Sequence, residues 1–445
     1  MRTNETVHVK ILRMGYNGEG VGSLNGKTLF VPGALPDEEV KVRITFSKQN
    51  YCKGQLQEIL IRSPNRVNPI CPIFGQCGGC QLMHLKYDAQ LEFKRQQVVS
   101  SFQKIGKLQK VAIAPCLPSP KELGYRNKIE VPFRELSGKP GFGFFEFESH
   151  RIVPFERCHI HTDAGDKIFS HVKKIILDCG VRAYNEDIHN RSLRHILIKT
   201  AVHNKEALVV LVTNGFEIKR IDQITSRIMK CHPWVKGVVQ NINQERTNVI
   251  LGKKFHTLAG RPFIEEKIGG LKFIITPSSF FQINPFQVET LIQTALKAAA
   301  LTGNERVMDA YCGVGLFSLF LARQASEVIG VEWVHEAVKN GARNADVNHI
   351  TNVNFHCGRA ERTTTNFKNF DTVLLDPPRA GCDPAFLAQL VRIKPKRIVY
   401  VSCNPATLAR DLADLCHNQY KVVSVQPLDM FPQTAHVETV VTLKR

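Results

Sequence analysis

The chain has 445 residues, of which 43% are hydrophobic and 22% charged, so it is long enough for several domains and apolar enough to bury real cores. Lys and Arg number 59 against 40 for Asp and Glu, a net charge of +19 that favours a polyanionic partner, nucleic acid ahead of an anionic membrane surface. Nothing approaches the roughly 20 apolar residues of a membrane span, and the first residues lack a signal-peptide core. The expectation is therefore a cytoplasmic, non-membrane protein. Thirteen cysteines in a reducing compartment make disulfides a poor explanation, so clustered thiols need metal or catalysis to account for them.

Taken in chain order, residues 1–62 alternate short β runs (Val7–Met14, Thr28–Val31, Glu39–Phe46, Gly54–Ile61) with Gly- and Pro-containing turns. Regular spacing of this kind predicts a small, OB-like antiparallel barrel. Basic residues such as Lys10, Arg13, Lys41, Arg43 and Lys53 run through it, which makes it a candidate RNA-binding module. A linker at Ser63–Pro69 leads to Cys71, Cys77 and Cys80, spaced x5 and x2, with Gly78 and Gly79 permitting a tight wrap. Three soft ligands within ten residues require a fourth, for which Cys158 is the first candidate and Cys52 or Cys116 weaker ones; zinc and a 4Fe–4S cluster both suit thiolates. Tyr87–Ile105 has helical periodicity and carries basic residues on its polar face. Residues 63–258 otherwise mix strands, for example Gly141–Phe147 and Ala207–Thr213, with helices, giving a central α+β domain.

From residue 259 strands and helices alternate, which predicts a parallel, doubly wound α/β domain to residue 445. Asp309-Ala310-Tyr311-Cys312-Gly313-Val314-Gly315 closes one strand and opens the helix Leu316–Arg323, and the next strand ends at Glu332, placed to hold a ribose. The full Gly-x-Gly-x-x-Gly is lacking, so a nucleoside cofactor fits better than a dinucleotide. Another apolar strand ends at Asp376-Pro377-Pro378, whose prolines cannot extend the ladder and so fix Asp376 at the ligand-binding edge. Arg397–Val401 leads into Ser402-Cys403-Asn404-Pro405 and a helix start, a setting expected to lower the Cys403 pKa and expose a nucleophile. His436 and Glu438, just before the strand Thr439–Leu443, are both candidate proton acceptors.

Together Asp309-x-Tyr-Cys-Gly-x-Gly, Leu375-Asp-Pro-Pro-Arg-Ala-Gly, Ser402-Cys-Asn-Pro-Ala-Thr-Leu-Ala-Arg-Asp and His436-Val-Glu resemble the RNA 5-methyluridine methyltransferases, over nearly the whole chain and most of all their 23S rRNA branch. The resemblance implies a TRAM barrel, a central domain carrying an iron–sulfur cluster, and a Rossmann-like class I methyltransferase domain. It implies S-adenosylmethionine as cofactor, an RNA substrate that is 23S rRNA rather than tRNA, and a monomer. Cys403 then adds to carbon 6 of uracil, Glu438 takes the carbon 5 proton, and Gln282, Tyr311, Glu332 and Asp376 fall on cofactor positions. It also implies a 4Fe–4S cluster on Cys71, Cys77, Cys80 and Cys158. The chain departs from the 23S rRNA branch in carrying Leu316, not Asn, after the second glycine. A non-catalytic RNA-binding protein with the same fold would be expected to lack the thiol or the acid, and both are present. A radical methylthio-transferase uses Cys-x3-Cys-x2-Cys, which this spacing does not match.

Overall fold

A computed structural model describes all residues except 1, 2, 137, 187, 190–192 and 364–368. Thr6–Met14, Gly20–Leu24, Lys27–Val31, Tyr51–Ile61 and Glu39–Ser47 pair in that order into a closed barrel. Period-two alternation sends Val40, Val42 and Ile44 inward, where they pack with Ile11 and Leu29, and leaves Lys41 and Arg43 facing out. Cys52 lies buried inside this barrel core, which removes it as a partner for the distant thiols.

The central sheet has seven strands, ordered Lys254–Gly260, Val235–Ile242, Glu206–Thr213, Leu193–Ala201, Lys128–Leu136, Lys139–Phe145 and Ile152–Pro154. Its middle strands are buried on both faces. Ala207, Val209 and Leu211 pack on the helices Asp163–Asp178 and Ile221–Lys230. Leu208, Val210 and Val212 instead join one continuous core with Phe273, Leu291, Val307 and Val401 of the last part of the chain. The strand Lys254–Gly260 crosses the boundary expected at residue 258.

The third sheet runs Val353–Cys357, Glu327–Glu332, Arg306–Ala310, Thr372–Leu375, Arg397–Ser402, Glu438–Lys444 and Lys421–Leu428. The first five strands are parallel, as the alternation of strand and helix predicts. Glu438–Lys444 runs antiparallel to both of its neighbours, Arg397–Ser402 and Lys421–Leu428, because the short loop after Leu428 is too brief for a crossover and returns as a hairpin. Lys421–Leu428 was not foreseen as a strand: it is a sheet edge with mixed burial and a proline at 427.

Helix Tyr87–Lys104 carries basic residues on its polar side, Arg95 half-buried and Lys104 exposed, but Lys94 is buried. Its spaced polar residues Gln90, Lys94, Gln97 and Ser101 share one face, and that face is buried. The reason is the irregular segment 429–437, whose backbone polar groups need partners. Gln90 accepts from the Gln433 N–H at 3.1 Å, Lys94 pairs with Asp429 and donates to the Phe431 carbonyl at 3.0 Å, and Gln97 donates to the Ala435 carbonyl at 3.0 Å. Val98 and Phe102 meanwhile join the core of the third sheet. Among the described residues no helix is long and apolar enough to cross a membrane.

Candidate active site

Strand register assembles the site. Ala310 pairs with Val331 and with Leu375, so Tyr311, Glu332 and Asp376, each the next residue outward or the strand's last, fall on one sheet edge. Ser402 pairs with Thr439 on the antiparallel strand. Cys403, leaving one strand, and Glu438, entering the other, are thereby neighbours at that same edge. Direction matters here: only an antiparallel final strand can bring its first residue to the carboxyl end of the parallel ones.

The loop 376–382 is held rigidly beside them. The Gly381 N–H donates to the Pro378 carbonyl at 2.8 Å, and Gly381 has φ +80, the left-handed turn position glycine favours. Buried Asp411 anchors the exit by accepting from the Cys382 N–H at 2.8 Å and the Tyr400 hydroxyl at 2.6 Å. This turn lifts Arg379, whose carbonyl accepts from Asn404 Nδ2 at 3.0 Å and whose guanidinium donates to His436 Nε2 at 3.2 Å. Asn404 caps the helix Pro405–His417 through the Ala406 N–H. The sequence pattern assigns Arg379 no role, because its neighbours Asn404 and His436 come from two distant segments.

Electrostatics correct the expected thiol. Burial, reinforced by Glu438 and Asp376, pushes Cys403 up to about 11, and the opposing pull of Arg379 does not reverse it. Burial also raises Glu438, with Asp376 adding to it and Arg379 opposing, and raises Asp376 to about 7. Cys403 and Glu438 thus share one guanidinium. His436 is driven down to about 4 by burial first and then by Arg379, so it is neutral near pH 7. Because a guanidinium only donates, His436 Nε2 must be the acceptor in that contact.

A cavity of about 280 Å³ adjoins this edge, lined by Tyr311, Glu332, Trp333, Arg359, Glu361 and Pro378. Tyr311 sits at φ +66, and its ring meets Phe386 edge-on at 5.6 Å. Glu332 accepts from the Gly313 N–H at 3.1 Å and the Val334 N–H at 2.8 Å. Gly313 has φ +55, and a β-carbon there would meet nothing within 4 Å, leaving an open cradle at the turn before the helix Leu316–Ala322. Asp376 lies beyond this lining, between the cavity and Cys403, and Gln282 is buried on a separate loop, its carbonyl accepting from Asn127 Nδ2 at 3.1 Å. The cavity residues Trp333, Arg359 and Glu361 carried no sequence signal beyond their place after a strand.

Cys71, Cys80 and Cys158 pack together around Met83, Tyr125 and Ile160. Burial raises Cys80 strongly, and Cys158, Cys77 and Cys71 each raise it further, which places all four thiols within one another's field. Cys116 is buried in the third sheet's core instead. Among the described residues no group of three or more His, Cys, Asp or Glu takes up a ready metal-holding geometry.

Residues 264–445 match the family described as tRNA (uracil-5-)-methyltransferase, and residues 2–57 match the TRAM domain. An uncharacterized RNA methyltransferase of Halalkalibacterium halodurans is 43% identical, over 99% of this chain and 97% of its own. Another, from Caldanaerobacter subterraneus, is 42% identical over 100% and 99%. The solved tRNA (uracil-54, C5)-methyltransferase of Pyrococcus abyssi, in complex with S-adenosyl-L-homocysteine, superposes with a TM-score of 0.79 at 29% identity, covering 98% of this chain and 99% of that one. With relatives this similar over their full length, the chain belongs to the S-adenosylmethionine-dependent RNA (uracil-5-)-methyltransferases.

Proposed function

We propose that the protein methylates carbon 5 of one uridine in 23S rRNA through a covalent adduct with Cys403, with Glu438 as the base. The observation that carries this reading is the Ser402–Thr439 pairing, which sets thiol and carboxyl side by side beneath Arg379. Carbon 5 of uracil is a weak nucleophile. Addition of the Cys403 thiolate to carbon 6 gives an enolate whose carbon 5 is reactive, and S-adenosylmethionine supplies the electrophilic methyl group. Glu438 then removes the carbon 5 proton, and the thiolate leaves as the ring double bond re-forms. A carboxyl raised by burial is a stronger base than an exposed one, which suits that task. His436 is the weaker alternative, since its Nε2 lone pair is already engaged by Arg379. The target base has to leave its stack to reach this edge.

The cavity fits a nucleoside. Glu332 and Tyr311 would hold it, Asp376 would face the reacting end, and Gln282 is included on the resemblance. The four thiols Cys71, Cys77, Cys80 and Cys158 are a donor set suited to a structural 4Fe–4S cluster. The working division is 1–62, 63–258 and 259–445, in a cytoplasmic monomer. The barrel, the thiol group and the +19 charge support rRNA. A second reading, tRNA as substrate, is favoured by the likeness to the P. abyssi enzyme.

Two variants test the chemistry. Cys403→Ala abolishes both turnover and adduct. Glu438→Gln adds and methylates but stalls, accumulating a methylated protein–RNA band on a denaturing gel. Activity retained in Cys403→Ala refutes the covalent route, and normal turnover of Glu438→Gln moves the base elsewhere. Mapping 5-methyluridine in the rRNA and tRNA of a deletion strain decides the substrate.

A further inference from the structure

The turn Gly15–Gly18 joins the first two barrel strands and reaches away from the barrel's own core. Gly15 donates to the Glu19 carbonyl at 2.7 Å and Gly18, at φ +84, donates to the Gly15 carbonyl at 3.2 Å, which puts Tyr16 and Asn17 at the tip. A β-carbon on Gly18 would come within 3.0 Å of Leu82 and 3.7 Å of Ala435, so the turn is seated against the catalytic edge. Gln97 fastens it there by donating to the carbonyls of both Tyr16, at 3.3 Å, and Ala435, at 3.0 Å.

The Tyr16 hydroxyl donates to Asn404 Oδ1 at 2.9 Å, one residue beyond Cys403. Burial raises this phenol, Arg379 pulls it down and Cys403 pushes it up, which places it in the field of the nucleophile and its guanidinium. Yet Tyr16 is 50% exposed. An aromatic ring tethered at its hydroxyl beside a nucleophile, with a face left open, is a surface for a planar ligand. Tyr16 also lines a groove of about 790 Å³, whose walls include Arg13 from the barrel and Gln96, Ser100 and Lys104 from the helix. The acid in that lining, Glu92, is held by Arg95 at 3.1 Å and Gln96 at 2.6 Å, so the groove presents positive charge.

We propose that Tyr16 is a substrate-positioning residue contributed by the barrel, its ring stacking on the nucleotide next to the target uridine in single-stranded RNA that leaves along this groove. The inference rests on the RNA methylation reading above. It gives the barrel a place in the active site itself, where base–aromatic stacking holds a neighbour of any sequence while the target base is turned out.

The test uses full-length protein with in vitro transcribed 23S rRNA and tRNA, each made with uridine and with 5-fluorouridine. Filter binding and adduct formation are measured against RNA concentration. Tyr16→Ala should raise the dissociation constant and the half-saturating concentration roughly 5- to 150-fold, the range stacking of one base supports. The loss should fall more on the half-saturating RNA concentration than on the adduct rate at saturating RNA, as expected of a residue that positions the substrate rather than reacting with it. Tyr16→Phe, which keeps the ring and loses the bond to Asn404, should restore most of the binding. Arg13→Gln and Lys104→Gln should each lower the salt dependence of binding by about one counterion. Unchanged binding by Tyr16→Ala overturns the proposal. So does a Tyr16→Phe defect as large as that of Tyr16→Ala, because the hydroxyl rather than the ring would then matter. If wild-type protein forms no adduct while Tyr16→Ala still binds more weakly, the covalent mechanism fails and the role of Tyr16 stands.

Discussion

The reactivity of Cys403 in the absence of RNA offers a direct test of the site's electrostatics. Its thiol stands at about 11 against an ordinary 9.0, which disfavours the thiolate by on the order of 3 kcal/mol. At pH 8 only about one thiol in a thousand is then ionised. Alkylation of Cys403 by iodoacetamide should therefore rise nearly tenfold per pH unit from pH 7 to 10, with no plateau below pH 10. The neighbours set the direction of each perturbation. Glu438 is the largest contribution after burial and acts to raise the thiol, so Glu438→Gln should shift the profile to lower pH by about one unit. Arg379 acts in the opposite sense, so Arg379→Gln should shift it to higher pH. Pulse alkylation of the folded protein, followed by digestion and mass measurement of the Cys403 peptide, separates it from the other cysteines. A wild-type plateau below pH 8.5 would refute the reasoning, as would equal profiles in the two variants.

Lys94→Met leaves Asp429 buried without its cation and should destabilise the protein by about 3–5 kcal/mol in urea unfolding; an unchanged midpoint would show that the pair does not hold the segment 429–437. Asp309 is fully buried and, mainly through burial, raised to about 7, so its contribution to stability is complete below its unfolded value near 4 and is lost as the pH rises through 7. Asp309→Asn removes that loss, and its stability relative to wild type should grow between pH 5 and pH 8 by about 3 kcal/mol, measured by denaturant midpoints at both pH values. Protein purified without oxygen should be brown, with about four irons and four sulfides per chain, whereas stoichiometric zinc in colourless protein would replace the cluster by a zinc site.

The sequence by itself determined the architecture wherever local pattern and burial agree. Alternating Val40-Lys41-Val42-Arg43-Ile44 can bury only one face, which makes a barrel strand, and the alternation of strands and helices after residue 270 predicts the parallel order that the first five strands of the third sheet take. Motifs at strand ends, such as Tyr311, Asp376 and Cys403, were legible because a parallel sheet presents every carboxyl end on one side. Local pattern cannot say what a polar stripe faces. Helical periodicity places Gln90, Lys94 and Gln97 on one polar face, and only the tertiary structure shows that this face meets the segment 429–437. Nor can it fix the sign of a pKa shift, since Cys403 sits by a helix start as expected but also beside two acids brought from residues 376 and 438. Tyr16 shows the limit most sharply: 388 residues separate it from Asn404, and a contact of that range depends on how the barrel docks, which no periodicity along the chain encodes.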